Sequence, residues 1–453
     1  MKVLKFGGTS VGTPESLRNV KRIVEGIDSQ TVVVVSALGG ITDRLIATAR
    51  LAAADNPAFR EEMESIAARH FNVIEQVVDE GAKGQTRSEV ARLLENLRRI
   101  FEGISLIRHL PTQTLDLVVS FGERMSSVIV TSMIKGAKRF DSLSFIKTEE
   151  WFGKNVADQK LTTDLIKDTF NVSFDKAIVP GFISTDRNSG IITNLGRGGS
   201  DFTAALVAAA LDASVLEIWT DVDGFMTADP RLIPNARVVD RMSFVESMEL
   251  CTYGAKVIYP PTIYPVFHKN IPIRILNTFK PEAPGTFISD SERNEGFSIK
   301  GVSVLRGTSL FSLASEMASD LTDVETRTFN ALARQGIRLY PVSSPGNRGV
   351  NFAVSSEDEA KTRSVIISEF APDIPDRPLL NPVVTDKLST LAVVGDNLKD
   401  QPRLGARIRN SLERAGLKVC AFSDGMSDST LTFMLPREEA DDALRIVHAL
   451  VAE

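Results

Sequence analysis

The chain has 453 residues, of which 43% are hydrophobic and 24% are charged. This composition predicts a globular protein of more than one domain and argues against disorder. Lysine and arginine number 52 and aspartate and glutamate 58, so the net charge of −6 provides no overall basic field to attract nucleic acid. Any anion that the chain binds must therefore be met by a local site.

Cysteine usage and the N-terminal residues bear on the cellular compartment. Cys251 and Cys420 are the only cysteines, too few for a disulfide framework or a thiolate metal site. The chain begins MKVLKFGG, which is too polar for a signal peptide, and no apolar run reaches the roughly 18 residues of a membrane span. We therefore expect a cytoplasmic protein without a membrane segment.

Short β-rich runs alternate with helical patterns from residue 1 to about 290, which predicts a mainly parallel α/β domain. Thr13 and Pro14 predict the cap and first position of a helix, whose apolar stripe begins at Leu17. The charged helical region from about 57 to 110 shows no recognisable chemistry. The clearest predicted strands are 3–6, 31–37, 177–183 and 215–219.

A segment rich in proline and glycine, 280–297, predicts a domain boundary, and an internal repeat with an offset of about 80 residues follows it. The repeat predicts two copies of a ferredoxin-like βαββαβ module, at 298–375 and 385–453. The matching positions are Arg327, Asn330, Leu332, Arg334, Gly336 and Ile337 in the first copy and Arg407, Asn410, Leu412, Arg414, Gly416 and Leu417 in the second.

Three loops of small residues lie between a strand or turn and a helix in the first domain. We call them the first glycine loop (residues 7–12), the second glycine loop (residues 36–42) and the third glycine loop (residues 196–201). Glycine backbone can approach a phosphate closely, and amides at a helix N-terminus point towards an anion. Neither a P-loop nor a G-x-G-x-x-G motif nor the protein-kinase motifs are present, so a phosphotransferase here would use another fold.

Five motifs, in their order along the chain, resemble those of aspartate kinases. They are KFGGTS at 5–10, SALGGIT at 36–42, SFGE at 120–123, GRGGSD at 196–201 and TDVDG at 220–224. The repeat is similar to the tandem ACT modules that such kinases carry. The resemblance implies an amino-acid-kinase fold over residues 1–290, with a mainly parallel sheet between helices, followed by the two ACT modules.

The resemblance also implies an activity and a set of partners. The enzyme would transfer the γ-phosphoryl group of ATP, with Mg²⁺, to the β-carboxylate of L-aspartate, giving 4-phospho-L-aspartate and ADP. This is the first step of the branch that leads to lysine, threonine and methionine. Feedback by lysine or threonine and a homodimer formed through the ACT modules are further implications.

The resemblance also assigns roles to individual residues, by their positions in the matching motifs. Lys5 and Asp201 would be catalytic, Lys5 by neutralising the transferring group and Asp201 by ordering Lys5. The substrate L-aspartate would be held by Thr42, Glu123, Arg197, Gly198, Gly199 and Ser200. The nucleotide would be held by Lys5, Gly7, Gly8, Thr220, Asp221, Met226, Arg231, Lys256 and Val257. No metal ligands are predicted.

The chemistry of the reaction suits these residue types. A carboxylate with a pKa of about 4 is already ionised at neutral pH, so the nucleophile needs no general base. Catalysis then depends on in-line positioning and charge neutralisation. Arg197 can bind the α-carboxylate of aspartate and Glu123 its ammonium group.

The sequence departs from the aspartate-kinase pattern at three places, and three alternative functions remain open. Phe225 and Met226 stand where relatives often have tyrosine, Asp43 stands where many have asparagine, and the first ACT loop, 314–320, lacks glycine, so the effector is unresolved. The alternatives are a kinase for glutamate or acetylglutamate, the kinase part of a fusion with homoserine dehydrogenase, and a non-catalytic amino-acid sensor. The chain contains no dinucleotide-binding motif. Simpler readings also exist, with Glu123 and Asp201 as ordinary first-turn acids and 229–231 as a plain turn.

Overall fold

The computed structural model describes residues 1–151, 154–290, 298–314, 321–342, 349–371, 382–398, 401–423 and 428–451. The chain forms two compact units. The first contains Met1–Phe225 and Ile258–Asp290, and the second contains Met226–Val257 and Ser291–Glu453. Within the described ranges, no helix has both the length and the apolar content that crossing a membrane requires.

Strands and helices alternate through the first 290 residues, as the sequence predicts. In chain order they are β1 (Lys2–Phe6), α1 (Pro14–Glu25), β2 (Thr31–Val35), α2 (Ile41–Ala53), α3 (Ala58–Val77), α4 (Glu80–Ile107), α5 (Thr112–Met133), β3 (Ala137–Arg139), α6 (Ser142–Phe145), β4 (Lys147–Trp151), β5 (Lys154–Ala157), α7 (Gln159–Thr169), β6 (Lys176–Pro180), β7 (Ile183–Asp186), β8 (Ile192–Asn194), α8 (Gly199–Ala210), β9 (Val215–Thr220), β10 (Arg241–Met242), α9 (Phe244–Thr252), α10 (Tyr264–Phe267), β11 (Ile273–Asn277) and β12 (Thr286–Ile288). Of these, β10 and α9 belong to the second unit.

The main sheet of the first unit has the strand order β12-β11-β9-β1-β2-β6-β3. Its neighbouring strands are parallel except for β11 with β12. Every residue of β2 is buried, as expected for a strand that helices cover on both faces. A smaller sheet has the order β5-β4-β7-β8. The predicted α/β fold with a mainly parallel sheet is therefore confirmed.

Local predictions for the first unit hold with small shifts at the element ends. Thr13 caps α1 in a capping box with Ser16, and Pro14 is its first residue. The predicted strand 177–183 breaks into β6 and β7, because Phe182 between them has a φ of +67°. The helix predicted to follow Asp201 already begins at Gly199, so Asp201 lies in its first turn.

The second unit contains six strands and four α-helices among its described residues beyond 297. In chain order the elements are β13 (Ser298–Ala314), α11 (Leu321–Arg334), β14 (Tyr340–Pro341), β15 (Gly349–Ser355), α12 (Glu359–Phe370), β16 (Val383–Asp396), α13 (Pro402–Arg414), β17 (Ala421–Ser423), β18 (Thr430–Pro436) and α14 (Ala440–Val451). Apart from Ala314, the first ACT loop lies outside the described residues, and so does the end of the predicted boundary segment, residues 291–297.

These strands form one sheet in the order β14-β15-β13-β16-β18-β17. The order β14-β15-β13-β16 is that of one ferredoxin-like module, and β17-β18-β16-β13 is that of a second. Residues 308–312 of β13 pair with the beginning of β16, and residues 298–306 pair with its second half. The first half of β13, which begins the first module in sequence, therefore completes the sheet of the second module.

The internal repeat has a structural counterpart at the ends of α11 and α13. Gly336 and Gly416 have φ values of +65° and +80°. In each copy the residue after the glycine donates its N–H to the carbonyl of a leucine five positions earlier, at 3.1 and 3.0 Å. A helix C-terminus of this kind favours glycine because a left-handed backbone costs it nothing. The two copies of the repeat thus end their first helix with the same backbone geometry.

Candidate active site

The carboxyl ends of the parallel strands place two glycine loops side by side. The first glycine loop follows β1 and the second follows β2, and these strands are neighbours in the sheet. The loop backbones touch, because a Cβ atom added to Gly39 would lie 2.8 Å from the Gly8 carbonyl oxygen. A Cβ atom added to Gly12 would lie 3.0 Å from the same oxygen. Glycine is therefore required here for the close approach of two loops.

Replacing Gly39 by alanine is expected to destabilise the chain by about 1–3 kcal/mol, the usual cost of adding a methylene to occupied space. Thermal unfolding followed by circular dichroism measures the effect. Gly103 in α4 is a matched control, because a Cβ atom there would meet nothing within 4 Å. Its replacement by alanine should stabilise the helix by about 0.5–1 kcal/mol. Equal midpoints for both variants would contradict the packing of the loops.

The third glycine loop reaches the same region through α8. A Cβ atom added to Gly181, which follows β6, would lie 2.8 Å from the Cβ atom of Ser200. The Phe182 N–H donates to Thr203 Oγ1 at 3.0 Å. These contacts dock the start of α8 against the carboxyl end of β6. All three loops therefore border one part of the first unit.

Lys5 and Asp201 meet there as an ion pair. Lys5 Nζ lies 2.6 Å from Asp201 Oδ1, and the two side chains are only 11% and 13% exposed. Lys5 stands on β1, one residue before the end of the strand, and Asp201 stands in the first turn of α8. The pair places a cation at the strand end beside the glycine loops, where an anionic group would meet it.

Glu123 supplies a buried carboxylate to the same region. The Gly122 position on α5 packs directly on Ala37, since a Cβ atom there would lie 2.8 Å from the Ala37 Cβ atom. The backbone N–H of Ala37 donates to the Glu123 carboxylate, whereas Oε2 has no hydrogen-bond partner among the described residues. Burial raises the pKa of Glu123 to about 8. A cationic ligand beside this carboxyl would lower its pKa and favour the ionised form.

These groups line a single cavity of about 360 Å³ within the first unit. Its predicted members are Lys5, Gly8, Thr42, Glu123, Gly198, Gly199, Ser200 and Asp201. Its other lining residues are Ser36, Ala37, Leu38, Gly39, Gly40, Asp43, Phe182 and Gly196. The cavity thus combines one cation, several carboxylates and the exposed backbone of three glycine loops.

Several predicted site residues do not line this cavity. Arg197 has an exposed side chain, although its neighbours on both sides are lining residues. Gly7 lies beside Lys5 and donates its N–H to the Trp219 carbonyl at 3.3 Å. Thr220 and Asp221 lie at the end of β9, in the first unit.

The remaining predicted nucleotide residues, Met226, Arg231, Lys256 and Val257, belong to the second unit. Arg231 pairs there with Asp229 at 2.6 Å and is 83% exposed. The segment 229–231 therefore forms a local turn with its own ion pair, and the role of Arg231 at a nucleotide stays a prediction.

Sequence reasoning missed a polar network that supports the third glycine loop. Asn194 Nδ2 donates to Asp116 at 2.6 Å, and Asn194 Oδ1 accepts the Gly196 N–H at 2.8 Å. Asp116 lies seven residues before Glu123 on α5, so both side chains are on one face of the helix. Burial raises the pKa of Asp116 to about 6. A buried aspartate in the apolar run LDLVV was the available signal.

The comparisons with known proteins agree with this geometry. A family model described as the amino acid kinase family matches residues 1–277, and an ACT domain model matches residues 391–450. The chain belongs to the amino acid kinase family. Within that family its similarity is to aspartokinases, over the whole length of the chain.

Two curated relatives illustrate the match. Lysine-sensitive aspartokinase 3 of Escherichia coli (strain K12) is 30% identical over 463 residues, which cover 100% of this chain and 99% of the relative. The bifunctional aspartokinase/homoserine dehydrogenase of Haemophilus influenzae is 30% identical over 468 residues, which cover 99% of this chain. The chain spans 56% of the length of that bifunctional relative.

Solved structures extend the comparison. Escherichia coli aspartokinase III in complex with aspartate and ADP superposes with a TM-score of 0.86 at 29% identity, and the alignment covers both chains fully. The same enzyme in complex with lysine and aspartate gives a TM-score of 0.74 at 29% identity, again over both full chains.

Proposed function

We propose that the chain is an aspartate kinase, which transfers the γ-phosphoryl group of ATP to the β-carboxylate of L-aspartate and releases 4-phospho-L-aspartate and ADP. The observation that carries the proposal is the half-buried Lys5–Asp201 pair in a cavity that Glu123 also lines. One carboxylate oxygen of Glu123 has no hydrogen-bond partner among the described residues. Among the relatives, the Escherichia coli structure in complex with aspartate and ADP supports this proposal. The product would enter the branch towards lysine, threonine and methionine.

Lys5 would stabilise the charge of the transferring phosphoryl group. The substrate carboxylate is ionised at neutral pH, so the barrier is the approach of one anion to another. A cation held by Asp201 at 2.6 Å is oriented before the substrates arrive, and such preorganisation is what makes electrostatic catalysis effective. Backbone amides of the glycine loops would supply further donors.

Mg²⁺ would accompany ATP in this proposal. No cluster of three or more histidine, cysteine, aspartate or glutamate side chains suited to a metal occurs among the described residues. Proteins often hold Mg²⁺ through one or two carboxylates together with substrate phosphates. Asp201 is a candidate for this role, because it lines the cavity beside Lys5. Bound Mg²⁺ would neutralise phosphate charge.

The two ends of aspartate would be recognised by opposite charges. Glu123 would accept hydrogen bonds from the ammonium group, and Arg197 would bind the α-carboxylate after its exposed side chain turns inward. Thr42 and Ser200 line the cavity and would bind the remaining oxygens. The nucleotide would contact Gly7, Gly8, Thr220 and Asp221 of the first unit.

The Asp116–Asn194 network should matter for aspartate more than for ATP, because it holds the loop that carries Arg197. Replacing Asn194 by alanine removes both of its side-chain hydrogen bonds, each worth about 0.5–1.5 kcal/mol. We expect the KM for aspartate to rise about 2- to 10-fold, with the KM for ATP unchanged. Steady-state kinetics measure both, and Asn188→Ala in an exposed turn is the control. Equal increases in both KM values would contradict this role.

Regulation and assembly form the second part of the proposal. The ferredoxin-like sheet suits an ACT pair that binds an amino-acid effector, lysine or threonine, and lysine is bound by the Escherichia coli relative. We propose the domains 1–290, 298–375 and 385–453, with residues 298–306 shared by the two ACT modules. A homodimer through these modules and a cytoplasmic location complete the proposal.

A coupled assay of ADP formation tests the activity. Purified chain should turn over L-aspartate with MgATP and show little turnover of glutamate or acetylglutamate. Robust glutamate turnover without aspartate turnover would favour the alternative kinase. Absence of turnover with all three substrates, with effector binding retained in a thermal-shift assay, would favour the non-catalytic sensor.

A further inference from the structure

Arg69 connects the two glycine loops that meet at the candidate active site. It lies on α3, in a region whose sequence indicates only solvated charge. Its Nη2 atom donates to the Gly39 carbonyl at 2.6 Å and to the Gly12 carbonyl at 3.1 Å. A single guanidinium group from a third element therefore fixes one peptide in each loop.

The bond to Gly39 sets the direction of the next amide. A trans peptide is planar, so the Gly39 C=O and the Gly40 N–H point in opposite directions. With the carbonyl held by Arg69, the Gly40 N–H faces away from Arg69, and both glycines line the cavity. Gly40 is also the N-cap of α2, a helix of 13 residues, with a φ of +77°. The amide thus stands at the positive end of a helix dipole.

Arg69 also keeps its positive charge available to the site. Among the described residues no carboxylate pairs with it, whereas the neighbouring Arg44 pairs with Glu62 at 2.8 Å. Partial burial lowers the pKa of the Arg69 guanidinium, and repulsion by Arg44 lowers it further. Arg69 donates its hydrogen bonds to two neutral carbonyls and not to a carboxylate. Its positive charge therefore raises the electrostatic potential at the glycine loops.

We propose that Arg69 is a positioning residue for phosphoryl transfer, which orients the Gly39–Gly40 peptide so that the Gly40 N–H donates to the transferring phosphoryl group. This inference rests on the proposed function, since it names the group that the amide would meet. Arg69 itself does not line the cavity. Its effect on the reaction is therefore exerted through the backbone of the second glycine loop.

The test replaces Arg69 by alanine and by lysine and measures kcat and both KM values. A misdirected donor should lower kcat about 10- to 100-fold, less than the 10²–10³-fold loss typical of deleting such a donor. The KM for aspartate should change less than twofold. Millimolar guanidinium, far below denaturing concentrations, should restore part of the Arg69→Ala activity. Arg99→Ala is the matched control, because Arg99 is 71% exposed and pairs with Glu95 on the same helix, α4.

Lysine keeps the stem and a charge, so Arg69→Lys should fold even where Arg69→Ala does not, and its single amine should recover only part of kcat. Wild-type kcat in either variant would overturn the inference. A loss of kcat that guanidinium leaves unchanged, joined by a lower thermal midpoint and higher KM values for both substrates, would also overturn it and indicate a structural role.

A binding measurement separates this inference from the proposed function. Calorimetry compares ADP with the imido analogue of ATP, whose γ-phosphoryl group cannot transfer. The wild-type chain should prefer the triphosphate, and Arg69→Ala should lose that preference, with guanidinium restoring it. An equal preference in both proteins would overturn the role of Arg69. If the wild-type chain does not turn over aspartate, but Arg69→Ala still loses the preference for the triphosphate, only the proposed acceptor is rejected.

Discussion

Replacing Lys5 by alanine is expected to lower kcat for aspartate phosphorylation by about 10³-fold or more, the scale observed when a cation is withdrawn from a phosphoryl-transfer transition state. The ammonium group is half-buried, is held by Asp201 at 2.6 Å and lies beside the glycine loops. Among the described residues that line the cavity, no other side chain is positively charged. The KM for aspartate should change little, because Lys5 acts on the nucleotide.

The fold should survive this substitution. Asp201 loses its partner, but it lines the cavity, where water can solvate the carboxylate. Lys2 is the matched control, since it lies on the same strand and pairs with Glu217 at 3.1 Å outside the cavity. Lys2→Ala should retain kcat within about twofold, as substitutions away from a transition state usually do. An active Lys5→Ala protein with an unchanged thermal midpoint would contradict the proposed role of Lys5.

Much of the first unit could be predicted from sequence because its signals are local. The glycine loops, the Thr13 cap and the valine-rich β2 each depend on neighbouring residues along the chain. The ends of parallel strands share one edge of a sheet, which is why residues from loops far apart in sequence meet at the cavity. The link between Asp201 and Lys5 came instead from the resemblance to aspartate kinases, and the ion pair at 2.6 Å agrees with it.

Arg69 and the shared ACT strand could not be predicted in this way. Arg69 lies among many charged helix residues, and only the packing of α3 on the loops distinguishes it from solvated arginines such as Arg98. The strand β13 reads as the start of one module, whereas its first half completes the other. Such pairing depends on contacts about 90 residues apart, which no local pattern encodes.

The carboxylate of Glu123 gives the second large prediction. Replacing it by glutamine should weaken aspartate binding about 10- to 100-fold at pH 8, because a hydrogen bond to a charged partner is worth about 1.5–3 kcal/mol. The helix need not change, since glutamine has nearly the same shape and can still accept the Ala37 N–H. Calorimetric titration with aspartate measures the loss, and ATP affinity is the internal control.

The pH dependence distinguishes an ionised partner from a mere packing group. The pKa of about 8 in the free site means that most Glu123 is protonated at pH 7, so binding of the ammonium group must release a proton. Wild-type affinity for aspartate should therefore rise between pH 6 and about 8 and then level off. Titrations in buffers of different ionisation enthalpy should show the released proton. Glu123→Gln should show neither the rise nor the release.

The free energy of unfolding in the absence of aspartate should change with pH in the opposite direction to the affinity for aspartate. A carboxyl whose folded pKa lies above its unfolded value of 4.5 contributes stability at low pH, and that contribution is lost as pH rises towards about 8. Glutamine does not ionise, so the thermal midpoint of Glu123→Gln relative to wild type should increase from pH 5 to pH 8. Saturating aspartate should reverse the difference, because it stabilises the ionised wild-type site. Parallel midpoints across this range, with and without aspartate, would mean that Glu123 neither ionises in the fold nor meets the substrate.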